Sequence, residues 1–149
     1  GPDMEGGQEI EELVSLIDLP PTFLRFAGLE VPHYMQGRPL QEVIEDKVND
    51  WPQEVFLQIS ESQVGRAIRT DRWKYSVRAP EKDGGKNSKS DTYVEDFLYD
   101  LKNDPHEKNN LVADPEYAEI RDKLAARLKQ RMNETNEEIP VIKQVSTTR

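Results

Sequence analysis

Residues 64–78 read VGRAIRTDRWKYSVR, and this stretch decides the fold class. Val64 to Arg69 and Trp73 to Arg78 are both predicted strands, joined by the turn Thr70-Asp71-Arg72. In the second strand Trp73, Tyr75 and Val77 share one face at a period of two, and Lys74, Ser76 and Arg78 share the other. Such alternation predicts a sheet with one buried face and one wet face. Upstream, Val55-Phe56-Leu57-Gln58-Ile59-Ser60 repeats the pattern and puts Val55, Leu57 and Ile59 together. Downstream, residues 80–92 (PEKDGGKNSKSDT) hold almost nothing apolar and two adjacent glycines, which predicts a mobile loop. Tyr93 to Leu101 then returns to strand character, with Phe97, Tyr99 and Leu101 on one face.

Helical signals flank these strands. Asp114-Pro115 heads the clearest helix, in which Tyr117, Ile120, Leu124, Leu128 and Met132 form one apolar stripe at spacings of three and four. Arg121, Lys123, Arg127, Lys129 and Arg131 mostly cover its remaining surface. Asp104-Pro105 with Glu107 reads as a similar cap, first-turn proline and third-position acid for a single turn. Near the N-terminus the apolar density rises from Ile10 to Ala27. Pro20-Pro21 belong near a helix start there, with Ser15 or Asp18 as its cap and Gly28 as its stop. The expected architecture is α+β, a short antiparallel sheet of about four strands packed by a long C-terminal helix and preceded by a separate helix. The expected divisions are residues 1–50, residues 51–135 carrying the sheet and helix, and a tail over 136–149.

Composition bounds the function. The chain has 149 residues, of which 35% are hydrophobic and 33% charged, and a formal net charge of -9. That acidity argues against a nucleic-acid partner, which would require clustered cations along a phosphate backbone. No apolar run approaches the ~20 residues of a membrane span, and no signal peptide is evident at the N-terminus. The absence of cysteine excludes disulfides, thiol nucleophiles and thiolate metal sites. His33 and His106 lie too far apart in sequence to suggest a histidine metal cluster.

Few residues invite a catalytic reading. His106 lies among Asp104, Glu107, Asn109 and Asn110, but a solvent-facing place in a capped turn explains it more simply. His33 sits in a loop punctuated by proline and glycine, where a histidine is more often a surface group than a base. Arg66, Arg69, Arg72, Lys74 and Arg78 are the one concentration of positive charge. They suit an anion such as sulfate or phosphate, or else form a wet sheet face paired with Glu61, Glu95, Asp96 or Asp100, the simpler expectation. Asp100, Asp104 and Glu107 lack the order of a calcium loop and read as turn and cap residues. Trp73, Tyr75 and the helix stripe read as core. Nothing here amounts to a reaction.

Three segments, taken together and in order, resemble the C-terminal part of the type I sulfatases of the alkaline-phosphatase-like superfamily. The first is LVSLIDLPPTFL at 13–24, followed by AGLEVP at 27–32 and MQGRPL at 35–40. The second is RAIRTDRWKY at 66–75, and the third LYDL at 98–101 with Asp104-Pro105, Glu107 and Asn110-Leu111. The resemblance spans roughly Leu13 to Met132. It implies a large N-terminal α/β catalytic domain, missing here, and a smaller C-terminal subdomain of antiparallel sheet and packed helix. Sulfatases hydrolyse sulfate esters with a formylglycine made from a Cys/Ser-x-Pro-x-Arg motif and a divalent metal, usually calcium. This chain has no cysteine, and Ser15, Ser60, Ser62, Ser76, Ser88, Ser90 and Ser146 do not begin that motif.

The resemblance therefore implies a fragment that is inert alone, with no catalytic, cofactor-binding or metal residue of its own. Residues 1–50 would be the end of the catalytic domain, and their helix a leftover of it. That helix should expose an apolar patch or bury it by self-association. Arg66, Arg69 and the 80–92 loop are the candidates for the rim of the substrate cleft. The implied partners are the missing catalytic domain and, for the parent enzyme, a sulfated small molecule or sugar. Any signal peptide would precede the missing domain, so a periplasmic or secreted parent is compatible with the chain. The competing expectations are a stand-alone binding or assembly module and the tail of a phosphate-ester hydrolase of the same superfamily.

Overall fold

The computed structural model describes residues 6–45 and 49–145, and the chain divides into two compact units, Gly1–Gln53 and Glu54–Arg149. In the first, a 3-10 turn over Leu16–Asp18 runs directly into α1 (Leu19–Phe26). Pro20 and Pro21 occupy the first turn of α1, where a missing amide removes no ladder bond. Ser15 caps the 3-10 turn, and the Asp18 carboxylate accepts from the Ser15 amide at 2.7 Å and the Arg38 amide at 2.9 Å. Asp18 is the residue before α1, but its side chain makes no cap bond to that helix and instead serves the 3-10 turn that Ser15 heads. Gly28, at φ 70°, ends α1, and the Leu29 amide returns to the Leu24 carbonyl at 3.0 Å.

Polar stitching holds the rest of this unit. Leu40 N donates to Thr22 Oγ1 at 2.8 Å, just before α2 (Gln41–Ile44). Trp51 Nε1 donates to the Leu13 carbonyl at 2.8 Å, and the Arg38 guanidinium lies 5.1 Å over the Trp51 ring while bonding Glu42 and Asp50. Little of the apolar surface is covered. Leu16 is 83% exposed and Phe23 64%, with Ile17 and Phe26 also open.

The second unit is a five-stranded sheet in the order β1 (Glu54–Ser60), β2 (Val64–Thr70), β3 (Trp73–Arg78), β4 (Thr92–Asp100), β5 (Val141–Lys143). The first four strands are antiparallel neighbours, as expected. The short β5 pairs in parallel with β4 and lies in the stretch expected to be only a tail. A strand of three residues is too short to show a period, and its pairing with Thr92 to Val94 is remote in sequence.

α3 (Ala118–Glu134) lies over one sheet face. Asp114 caps the 3-10 turn Pro115–Tyr117 that leads into it, accepting from the Glu116 amide at 2.9 Å. Leu124, Leu128 and Met132 are buried against Val64, Ile68, Tyr75, Val77, Tyr93 and Leu98, and Tyr117 and Ile120 pack at the border. This is the expected α+β arrangement.

Three expectations need correction. On β1 the residue that packs on the core is Phe56, whereas Leu57 and Ile59, which share the opposite face with Val55, are about 40% exposed. On β4 the buried residues are Tyr93, Glu95, Leu98 and Asp100, not Phe97, Tyr99 and Leu101. The cause is a bulge: Ser76 pairs with Phe97 and Val77 with Glu95, so Asp96 is an extra residue that switches the inward phase. The Asp104–Glu107 stretch is a turn rather than a helical start, with Glu107 at φ 54°.

The 80–92 loop is tied to the sheet. Gly85 N donates to the Ser60 carbonyl at 2.8 Å, and the Ser88 carbonyl accepts from Arg66 at 2.8 Å. A side chain at Gly84 would sit 2.3 Å from the Glu61 carbonyl oxygen, so only glycine allows the loop to pass there.

Candidate functional site

Antiparallel pairing sorts the five basic residues of the 64–78 hairpin by face. Arg66 pairs across the sheet with Gln58 and Val77, and shares its face with Val64 and Ile68 beneath α3. It is 3% exposed, and its guanidinium bonds Glu137 at 2.9 Å and the carbonyls of Gly65 at 2.7 Å and Ser88 at 2.8 Å. The group also stands 5.9 Å from the Tyr93 ring centroid. A wet-face position for Arg66 is therefore corrected. Parity with Val64 and Ile68 was the signal that could have placed it.

The other cations divide as follows. Arg72, in the hairpin turn, holds Asp100 through two bonds of 3.1 and 2.7 Å and lies 4.7 Å over the Trp73 ring. This contact holds the Asp100 carboxyl below its usual range, and a further bond from Asn103 adds to it. Lys74 pairs with Glu107 at 2.7 Å and Arg78 with Asp96 at 3.1 Å. Arg69 differs from all of these. It is exposed, faces away from α3 beside Val55 and Lys74, and has no ion pair among the described residues.

The acidic and histidine candidates do not converge. Asp100 is spent on Arg72, Glu107 on Lys74, and Asp104 accepts from the Asn109 amide at 2.8 Å, the chief cause of its lowered carboxyl pKa. His33 and His106 are exposed, and His33 makes only an edge contact with Tyr34. Among the described residues no group of three or more His, Asp or Glu could hold a metal. The buried titratable network belongs to the core. Tyr75 donates to Glu95 at 3.2 Å, Arg121 stands 3.1 Å from the same carboxylate, and burial raises the Tyr75 pKa. Arg121, expected on the helix surface, is 8% exposed and also donates to the Val112 carbonyl at 2.6 Å.

The sheet face turned away from α3 carries a feature that periodicity did not show. One row across it runs Leu57, Ala67, Ser76, Phe97, and the rows on either side run Val55, Arg69, Lys74, Tyr99 and Ile59, Gly65, Arg78, Val94. Small residues form the floor of a hollow of about 90 Å³, walled by Leu57 and Ile59 on one side and Phe97 on the other. Ser76 lines it, is 5% exposed, and its hydroxyl has no hydrogen-bond partner.

Comparison with known proteins identifies the lineage. Residues 2–134 match the family described as N-sulphoglucosamine sulphohydrolase, C-terminal. An ulvan-active sulfatase of Formosa agariphila is 31% identical over 79% of this chain and 28% of its own length. The multifunctional alkaline phosphatase superfamily protein PehA of Trinickia caryophylli is 31% identical over 80% of this chain and 24% of its own. Among solved structures, a 2-O GAG sulfatase aligns with a TM-score of 0.69 at 26% identity, over 91% of this chain and 29% of that one. The chain thus spans about a quarter of the length of the relatives it matches. With a helix-backed antiparallel sheet and no converging catalytic groups among its described residues, the chain belongs to the sulfatases, as a piece of their C-terminal part.

Proposed function

We propose that this chain completes the fold of a sulfate-ester hydrolase whose catalytic domain lies in the rest of a longer protein. On this reading residues 1–50 close that domain, 51–135 form the C-terminal subdomain and 136–149 its tail. The observation that carries it is the match of residues 2–134 to a C-terminal family, in a chain covering only 22 to 28% of its curated relatives. The lack of cysteine and of any Ser-x-Pro-x-Arg motif supports placing the nucleophile elsewhere. Calcium and formylglycine would belong to the catalytic domain, since the described residues of this chain do not fit a metal. A sulfated sugar is the substrate class favoured by the ulvan-active and GAG-sulfatase relatives.

Within this reading Arg69 borders the substrate cleft. An exposed guanidinium without a carboxylate partner is free to take a sulfate through two parallel N–H bonds. Arg66 is spent on Glu137 and two carbonyls, so its contribution to the rim is to hold the 80–92 loop through Ser88. In the parent enzyme Arg69→Ala should raise KM for a sulfated sugar about tenfold with kcat little changed, from the loss of ~1.5 kcal/mol of charged hydrogen bonding. Unchanged kinetics would remove Arg69 from the cleft.

The similarity to a multifunctional alkaline phosphatase superfamily protein favours one second reading, the tail of a phosphate-ester hydrolase. One fold hosts both chemistries, and the upstream nucleophile separates them. Reading the coding DNA upstream of Gly1 tests both. An in-frame Cys/Ser-x-Pro-x-Arg motif supports sulfate chemistry, and a Thr or Ser nucleophile outside such a motif supports phosphate chemistry. A start codon directly ahead of Gly1 would sink both in favour of a stand-alone binding module.

A further inference from the structure

We infer that residues 136–145 form a clasp that holds the second half of the 80–92 loop in place, with the buried Arg66 as the joint between them. The composition of that loop gives it little reason to be ordered, because almost nothing in it is apolar enough to pack. The tail, by contrast, is secured at three points. α3 ends in a left-handed turn at Asn136 (φ 61°), a residue type that tolerates this region, and the Glu137 amide returns to the Met132 carbonyl at 2.9 Å. β5 then pairs with Thr92 to Val94, with Ile142 and Val145 packed on the core. Finally the Val145 amide donates to the buried Glu95 carboxylate at 3.2 Å. The family match ends at residue 134, so Glu137 and β5 lie beyond the span it covers.

Two bonds carry the order of the tail into the loop. The first runs through Arg66, whose Nε donates to both Glu137 carboxylate oxygens at 2.9 and 3.2 Å while Nη2 donates to the Ser88 carbonyl at 2.8 Å. A guanidinium is a rigid planar fork, so fixing its Nε against a carboxylate also fixes where Nη2 points. Without Glu137 the buried charge has no counter-ion, and the side chain must turn toward water and give up Ser88. The second bond is direct, from the Val141 amide to the Asp91 carbonyl at 2.9 Å. The first half of the loop has an anchor of its own, from Gly85 N to the Ser60 carbonyl at 2.8 Å. Loss of the tail contacts should therefore free residues 88–92 and leave Gly85 held. The clasp stands whether or not the loop borders a substrate cleft.

Amide hydrogen exchange in the full 149-residue chain, read by NMR, tests this. The reporter is the Ser90 amide, which donates to Tyr93 Oη at 3.1 Å, and the control is the Leu111 amide, which donates to the Leu98 carbonyl at 2.8 Å. Glu137→Ala removes the first bond. Val141→Pro removes the second at a residue that is 58% exposed, without touching a buried charge. Each variant is expected to speed exchange at Ser90 at least tenfold, with Leu111 unchanged. Exchange at Ser90 that does not rise in either variant would overturn the clasp. Equal acceleration at Ser90 and Leu111 in Glu137→Ala would report global loss of structure, and Val141→Pro then decides alone. A rise confined to Ser90 in that variant upholds the clasp, and any other pattern overturns it.

Discussion

Arg66 and Arg69 stand three residues apart on one strand, and that odd spacing gives them opposite lives. Arg66 points under α3, where its side chain is 2% exposed and its Glu137 partner 13%. Removing one member of a buried pair strands the other charge. Arg66→Ala should therefore cost about 3–5 kcal/mol of unfolding free energy, measured by urea titration. Replacing Glu137 in the same background should recover part of that loss, because no uncompensated charge then remains. A single-mutant loss below about 1 kcal/mol would show the pair to be dispensable. Alternation along Val64, Arg66 and Ile68 already contained the face of Arg66. Its partner was not legible, because 71 residues separate Arg66 from Glu137.

At the scale of elements, α3 and the four antiparallel strands were legible because each has one apolar side at its own period. The stripe Leu124, Leu128, Met132 reaches the core as read, and Leu128 is fully buried. Leu128→Ala should destabilise the sheet–helix unit by about 2–5 kcal/mol, seen as a lower denaturation midpoint with an unchanged slope. A shift of a few tenths would mean that α3 packs loosely and that the core lies elsewhere. The inward phase of β4 was not legible. Its extra residue at Asp96 turns Phe97 and Tyr99 together onto the open face, with ring centroids 5.2 Å apart, and brings Leu98 inside. A bulge depends on the partner strand, here β3, so strict alternation along β4 alone misassigns everything after it. The parallel strand β5 escaped for the same reason, since its pairing with Thr92 to Val94 is purely non-local.

At the scale of the whole molecule, 149 residues of a much longer lineage leave apolar surface uncovered. Leu16, Ile17, Phe23 and Phe26 around α1 are exposed in the first unit. The isolated chain should therefore bind a hydrophobic dye or self-associate, and Phe23→Ser should weaken both. A clean monomer in sedimentation that binds no dye would count against an amputated surface. By itself the sequence determined the α+β class, the hairpin at 64–78, the helix ending near Glu134 and the sulfatase lineage. Those properties live in local periodicity, in caps such as Asp114, and in motifs written along the chain. Only tertiary structure decided that Arg66 is interior and Arg69 exterior, that β4 changes phase at Asp96, and that Ser76 lies unpartnered in a hollow. Each of these depends on which strand lies alongside which and on what packs over the sheet, and no contiguous stretch of residues encodes that.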